Sequence, residues 1–457
     1  MNELCERIFH LKENRTDVRT EIMAGITTFM TMAYILAVNP GILGETGMDA
    51  GAVFTATAVS AALGTFLMAA FANYPFALAP GMGLNAFFAY TVVIRMGYSW
   101  QTALAAVFVE GIIFIALSLT NVRQAIFNCI PQSLKLGVTC GIGLFIAFIG
   151  LQNAKLVVDS STLVTIYPFK SAIADGTFFS TGIGAALAFA GTLFTAVLMA
   201  RKVPGAILLG IFGTWAAGIV LEVTGIYVPS AELGMASVIP DLSAGFSVPS
   251  MMPTLFKMDF SGILSLNFIT IMLSFLFVDL FDTLGTLIGV ASKANMLDEE
   301  GRLPRIKGAL LADAAATTAG ALFGTSTVTT FVESSSGVMA GGRTGLTAVT
   351  TAVLFLLSLF LSPIFLAIPS FATAPALIIV GFLMMGSVVR IDFNDLGEAV
   401  PAFVAIFAMP FMYSISEGIS LGVISFVLIN FFTGKRERIS GLLYVLAALF
   451  VLKYVLV

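Results

Sequence analysis

Apolar runs of about 20 residues recur along this chain, with short polar breaks between them, and each is long enough to cross a bilayer as a helix. The pattern predicts spans near 22–43, 53–73, 76–95, 101–120, 124–150, 180–200 and 204–227. A second set is predicted near 262–291, 306–322, 325–341, 345–361, 372–389, 400–415 and 418–433. The two sets of seven are separated by a long loop at about 228–260. A last apolar stretch, 440–456, fits either a short extra span or a membrane-surface helix. The polar segment 1–21 sets Leu4, Ile8 and Leu11 on one helical face and is predicted to lie along the membrane surface. It has no apolar signal core and no cleavage site.

Three places break the lipid-facing pattern. Asp279 and Asp282 interrupt Phe277-Val278-Asp279-Leu280-Phe281-Asp282-Thr283-Leu284-Gly285-Thr286, and Glu333 lies in the Gly-, Ser- and Thr-rich run from Gly324 to Gly337. A carboxylate at membrane depth costs several kcal/mol unless it faces a partner or a cavity, so each is a candidate functional residue. Irregular backbone there is tolerated only when buried in protein or lining a cavity. The third break is Phe76-Ala77-Leu78-Ala79-Pro80-Gly81-Met82-Gly83-Leu84-Asn85. It occupies the third span of the first half, as the Glu333 run occupies the third span of the second. Matched broken segments in two halves point to a transporter site.

The candidates divide by chemistry. Gly81 and Gly83 let the backbone approach a ligand, and a half-helix opening there offers free N–H groups. Phe331 and Ser334 would do the same in the second half. Asn85 either caps and packs between helices or meets a ligand. Glu333 either caps its half-helix or accepts hydrogen bonds from a buried ligand with N–H donors. Asp279 and Asp282 share a helix face. One can bind substrate while the other orients it or holds a helix contact, and Asp282 is preferred for the site. Glu110 and Asp313 read as inter-helix hydrogen bonds to Ser, Thr or Asn, with proton coupling as the alternative. A buried carboxylate that exchanges a proton is a coupling candidate, which admits Asp279, Asp282, Glu333, Glu110 and Asp313.

Composition narrows the function. Of 457 residues, 58% are hydrophobic and 11% charged, against about a quarter charged in soluble proteins. No basic tract suits nucleic acid. One histidine, His10, and three dispersed cysteines, Cys5, Cys129 and Cys140, exclude a hydrolytic triad, a His-based metal site and a disulfide framework. Gly141-Ile142-Gly143 lacks the strand and final glycine of a dinucleotide fingerprint and reads as small-residue helix packing. With the N-terminus placed in the cytoplasm, 16 of the 22 basic residues fall on cytoplasmic segments, which is the positive-inside asymmetry. Seven spans per half, an odd number, then insert the second half with inverted topology.

Phe281-Asp282-Thr283-Leu284-Gly285-Thr286, Gly324-Thr325-Ser326-Thr327 with Glu333-Ser334-Ser335-Ser336-Gly337, Gly141 to Asn153 and Ala408-Met409-Pro410-Phe411 resemble the AzgA-like purine permeases. These are a branch of the nucleobase–ascorbate, or xanthine/uracil permease, transporters. The resemblance runs from about Glu21 to Thr433. It implies an all-α polytopic membrane protein of fourteen spans in two inverted seven-span repeats, with short strands and half-helices in spans 3 and 10. It divides the chain into an N-terminal segment (1–21), core parts (22–120 and 262–361), gate parts (121–230 and 362–433), an external linker (231–261) and a C-terminal segment (434–457). It implies proton symport of hypoxanthine, guanine or adenine without a cofactor, in an inner membrane with both termini cytoplasmic, and a homodimer. The family's binding positions fall on Asn85, Asp282 and Glu333. The rival reading is an anion transporter of the same fold, carrying sulfate, bicarbonate or a dicarboxylate; two carboxylates in one cavity oppose it. An enzyme and a channel are both remote, because no protease-type aspartate context and no selectivity filter occur.

Overall fold

The computed structural model describes residues 2–120, 130–230, 237–240, 245–263, 265–293, 296–298 and 303–456. Arg123, Cys129, Arg302 and the opening of the 124–150 span lie outside the described residues. Eleven described helices are long and apolar enough to cross a membrane, where the sequence pattern predicts fourteen spans. The difference has a physical cause. Segments 76–95 and 325–341 are broken into strands and short helices. The predicted 400–415 span is the 16-residue helix Leu396–Phe411, which contains Pro401 and Pro410.

The packing sorts the helices into two sets. In one, Ile306–Phe323 packs on Trp100–Leu119 and Ala50–Ala72, and Gly345–Ser358 packs on Ala50–Ala72 and Val18–Met32. In the other, Gln132–Asn153 packs on Ser370–Met385 and Leu396–Phe411, and Gly182–Ala200 packs on Ala206–Val223. Glycines permit the closest contacts. An added Cβ at Gly143 would lie 2.7 Å from the Gly381 carbonyl oxygen, and one at Gly141 would lie 2.9 Å from that of Ala405. The small-residue reading of Gly141-Ile142-Gly143 holds. Between the sets, Asn153 donates to the Tyr90 hydroxyl at 3.2 Å, and Thr91 donates to the Tyr413 carbonyl at 3.4 Å.

The broken segments meet antiparallel. Strand Leu78–Pro80 pairs with Val328–Thr330 in the register Leu78↔Thr330, Ala79↔Thr329 and Pro80↔Val328. Each strand is also held by a threonine from the preceding helix. Thr65 Oγ1 accepts from Leu78 N at 2.9 Å and donates to Leu78 O at 3.1 Å, and Thr317 Oγ1 donates to Val328 O at 2.9 Å. The strands lead into Met82–Ala86, which continues as the π-helix Phe87–Arg95, and into the half-helix Ser334–Met339.

Two termini differ from expectation. Asn2–Phe9 is a helix, but Leu11 lies beyond it and is buried, while Ile8 is exposed. Leu11 therefore does not continue the helical face that carries Ile8. The helix Gly441–Leu456 runs antiparallel along Ile415–Phe432. Tyr444 stacks edge-on near Phe431 at one end, and Tyr454 bonds Glu417 at the other. Between these helices, Lys435 and Arg438 pair with Asp395, and their hydrogen bonds, that of Arg438 above all, hold its carboxyl down at about 2.

Replacing Gly381 with Val is expected to destabilise the detergent-solubilised protein by about 1–3 kcal/mol through overpacking. Gly386→Ala, where a Cβ would meet nothing within 4 Å, is expected to leave the thermal midpoint unchanged.

Candidate functional site

The crossing of the two broken segments gathers most of the predicted residues. Asp282 and Glu333 approach it from the helix Leu266–Lys293 and from the N-terminus of Ser334–Met339. Both keep accessible surface, whereas Asp279, Asp313, Glu110 and Asn85 are fully buried. A Cβ built on Gly81 would come 2.5 Å from Thr329 Cγ2 and 3.5 Å from Asp282 Oδ2, so the glycine lets the two broken segments approach closely beside that carboxylate. Asp282 lies near enough to Glu333 and Asp313 for like charges to repel one another. Such an arrangement is held at low energetic cost only when cations, protons or hydrogen-bond donors enter it.

Asp279 is fully buried in a side-chain network behind the second strand. Thr283 Oγ1 lies 2.9 Å from Asp279 Oδ1, 2.9 Å from Asp313 Oδ1 and 2.7 Å from Thr329 Oγ1. The same helix thus presents one aspartate to the crossing and the other to a buried network joining Leu266–Lys293, Ile306–Phe323 and the second strand. Glu110 accepts from Thr327 Oγ1 at 3.0 Å. Asp313 makes the expected inter-helix hydrogen bond, whereas the threonine that Glu110 meets lies in the loop before the second strand.

The half-helix residues mostly serve the crossing itself. Phe331 N–H bonds Ala77 O at 3.0 Å, and Gly81 N–H bonds Thr327 O at 3.0 Å. Ser334 Oγ accepts from Ala77 N at 3.0 Å. Gly83 lets its helix approach Ile142, where a Cβ would lie 2.6 Å from Cγ2. Asn85 accepts from Ser326 through Oδ1 and sends Nδ2 toward Pro80 O at 3.4 Å, tying the first broken segment to the loop before the second strand. Glu333 does not cap its half-helix with its side chain. Its Oε1 accepts instead from the Tyr34 hydroxyl at 2.7 Å. Sequence reasoning missed Tyr34, an aromatic in an apolar span. The available signal is that a buried carboxylate needs a donor, which the first span offers at Thr27, Thr28, Thr31, Tyr34 and Asn39.

Two cavities lie away from this crossing. One of about 410 Å³ is apolar and runs between Ile415–Phe432 and the C-terminal helix. One of about 170 Å³ is lined by Arg95, Thr270, Ser274, Ser416 and Glu417. Among the described residues no group of three His, Cys, Asp or Glu side chains could hold a metal ion.

The comparisons agree with this architecture. The chain matches the xanthine/uracil group of the Permease family over residues 19–421. It is 48% identical over 455 residues to a putative permease of Methanocaldococcus jannaschii, covering 99% of this chain and 98% of that one. It is 46% identical to a guanine/hypoxanthine permease of Bacillus subtilis (97% and 98% covered). It is 43% identical to an adenine permease of Escherichia coli (99% and 96% covered). Among solved structures, the transmembrane domain of a cyanobacterial bicarbonate transporter superposes with a TM-score of 0.63 at 16% identity, covering 88% of this chain and 97% of that one. A murine Slc26a9 anion transporter superposes at 0.62 with 12% identity, covering 91% and 68%. At such identity these two structures speak for the fold alone. With a site of carboxylates at the crossing of two broken membrane segments, and permeases rather than enzymes as its relatives, the chain belongs to the xanthine/uracil permease family.

Proposed function

We propose that this protein is a proton-coupled importer of a purine base, hypoxanthine/guanine or adenine. The observation that carries the reading is the pair Asp282 and Glu333, two accessible carboxylates at the crossing of the broken segments. Carboxylates accept hydrogen bonds and suit a neutral heterocycle rich in N–H donors. They disfavour an anion, so the bicarbonate and anion transporters that share the fold offer a weaker model of the substrate than the purine permeases at 43–46% identity.

In this reading the chain forms fourteen spans in two inverted repeats, which the paired Thr65 and Thr317 braces support, with Gly441–Leu456 as an additional crossing outside the repeats. The first helix set is the core and the second the gate, and the core moves elevator-like against the gate around a fixed site. The coupling ion is a proton taken up by Asp282 or Glu333. Hydrogen-bond counting at Thr283 supports proton storage behind them. Its hydroxyl has one proton and cannot donate to both Asp279 and Asp313, so one of those carboxyls must carry a proton for both contacts to be hydrogen bonds. Asn85 acts in this conformation through the loop it anchors. The protein works in the inner membrane as a homodimer, with its N-terminus cytoplasmic. Because Gly441–Leu456 runs back along Ile415–Phe432, the C-terminus is assigned to the outer side, in place of the cytoplasmic position expected from the sequence.

In cells lacking their own purine permeases, saturable uptake of a radiolabelled purine is expected, collapsing when a protonophore is added and unaffected by excess sulfate or bicarbonate. Uptake that survives the protonophore rejects proton coupling. Glu333→Gln and Asp282→Asn are each expected to reduce Vmax/KM by about 10–100-fold, the loss of one charged hydrogen bond, at unchanged membrane abundance. Full uptake in either variant rejects that residue as a ligand. A phosphatase fused after Val457 is expected to be active, which it is only outside the cytoplasm.

A further inference from the structure

Tyr34 stands between Val18–Met32 and Ile35–Gly44, where the helix of the first span is interrupted. Its side chain is fully buried. The hydroxyl donates to Glu333 Oε1 at 2.7 Å, and the ring is tilted against Phe331 with centroids 6.4 Å apart. Phe331 is itself fixed, because its N–H bonds Ala77 O. Thr31, one turn earlier, places its hydroxyl 3.5 Å from the Glu333 carbonyl oxygen. The phenol is therefore located by its ring, its backbone and its hydroxyl together. Among the described residues no other side chain bonds the Glu333 carboxylate, and Glu333 keeps accessible surface.

A free carboxylate can receive two adjacent N–H donors, one on each oxygen. A phenol seated on Oε1 takes one of that oxygen's two acceptor positions. We propose that the position it takes is the one through which Oε1 would meet a ligand, which makes Tyr34 a specificity-determining residue and leaves Glu333 only Oε2 to accept an N–H from a purine. The proposal rests on the purine-importer reading. Tyr34 has one proton and gives it to Glu333, so it acts by positioning and occupying that carboxylate. The consequence is chemical. Hypoxanthine presents N1–H beside a C–H, whereas guanine presents N1–H beside an amino group. With Oε1 occupied, both bases offer Glu333 one usable donor. With Oε1 free, guanine gains a second charged hydrogen bond and hypoxanthine gains none.

The test compares guanine and hypoxanthine uptake by the wild type and by Tyr34→Phe, with membrane abundance measured in parallel. The guanine-to-hypoxanthine ratio of Vmax/KM is expected to rise by about tenfold or more in the variant, chiefly through KM. An unchanged or smaller ratio overturns the proposal, and so does an equal loss for both bases, which a purely structural tyrosine would produce. Should Tyr34→Phe fail to accumulate, the wild type decides: N2-methylguanine and guanine must inhibit hypoxanthine uptake within about threefold of each other, a difference well under one hydrogen bond. A larger gap shows Glu333 reading the amino group and overturns the proposal. A wild type that takes up no purine overturns the importer reading as well, which separates that failure from a failure at Tyr34 alone.

Discussion

The site depends on the backbone pairing of two three-residue strands within the depth of the membrane. Unpaired N–H and C=O groups at that depth cost several kcal/mol each. The two broken segments solve this jointly, because neither can satisfy its own backbone. Leu78–Pro80 and Val328–Thr330 bond to each other, and the next groups out continue the exchange through Gly81 N to Thr327 O and Phe331 N to Ala77 O. Thr65 and Thr317 satisfy strand-end groups that the pairing leaves over. A glycine at 81 lets the two segments approach this closely, since any larger residue would run into Thr329.

Around this crossing, burial sorts chemically similar side chains into different tasks. Asp279 and Asp282 are three residues apart on one helix, yet one closes a network with Thr283 and Asp313 and the other keeps access to the crossing. Glu110 and Asn85 spend their polar atoms holding the loop at Ser326 and Thr327. Glu333 is held by Tyr34 from a different span. The two carboxylates with accessible surface are thus framed by side chains whose own hydrogen bonds are used within the protein. Such a shell keeps ligand groups in place when the surroundings are too apolar for water to do so.

Much of this was legible in the chain. The apolar periodicity located the spans because bilayer thickness sets helix length. The acidic and Gly/Ser/Thr-rich interruptions located the crossing because lipid tolerates neither. The inter-helix hydrogen bond of Asp313 followed from the same cost. Less was legible where an outcome depends on neighbours distant in sequence. Asn85 has the context of a ligand, but Ser326, 241 residues away, takes its carbonyl. Leu11 does not share the helical face of Ile8 because the helix ends at Phe9. Tyr34 resembled any other aromatic in an apolar run.

By itself the sequence determined that the protein is polytopic and that its polar chemistry gathers in two broken spans and one acidic span, with Glu333 and the Asp279–Asp282 pair as candidate carboxylates. Those conclusions follow from one-dimensional facts, namely run length, residue type and the energetic cost of charge in lipid. Only the tertiary structure decided which of Asp279 and Asp282 reaches the crossing, how Asn85 is used, which way the C-terminal helix runs and which side chain meets Glu333. Each of those is a choice among hydrogen-bond partners that become neighbours only after the two halves of the chain have packed together.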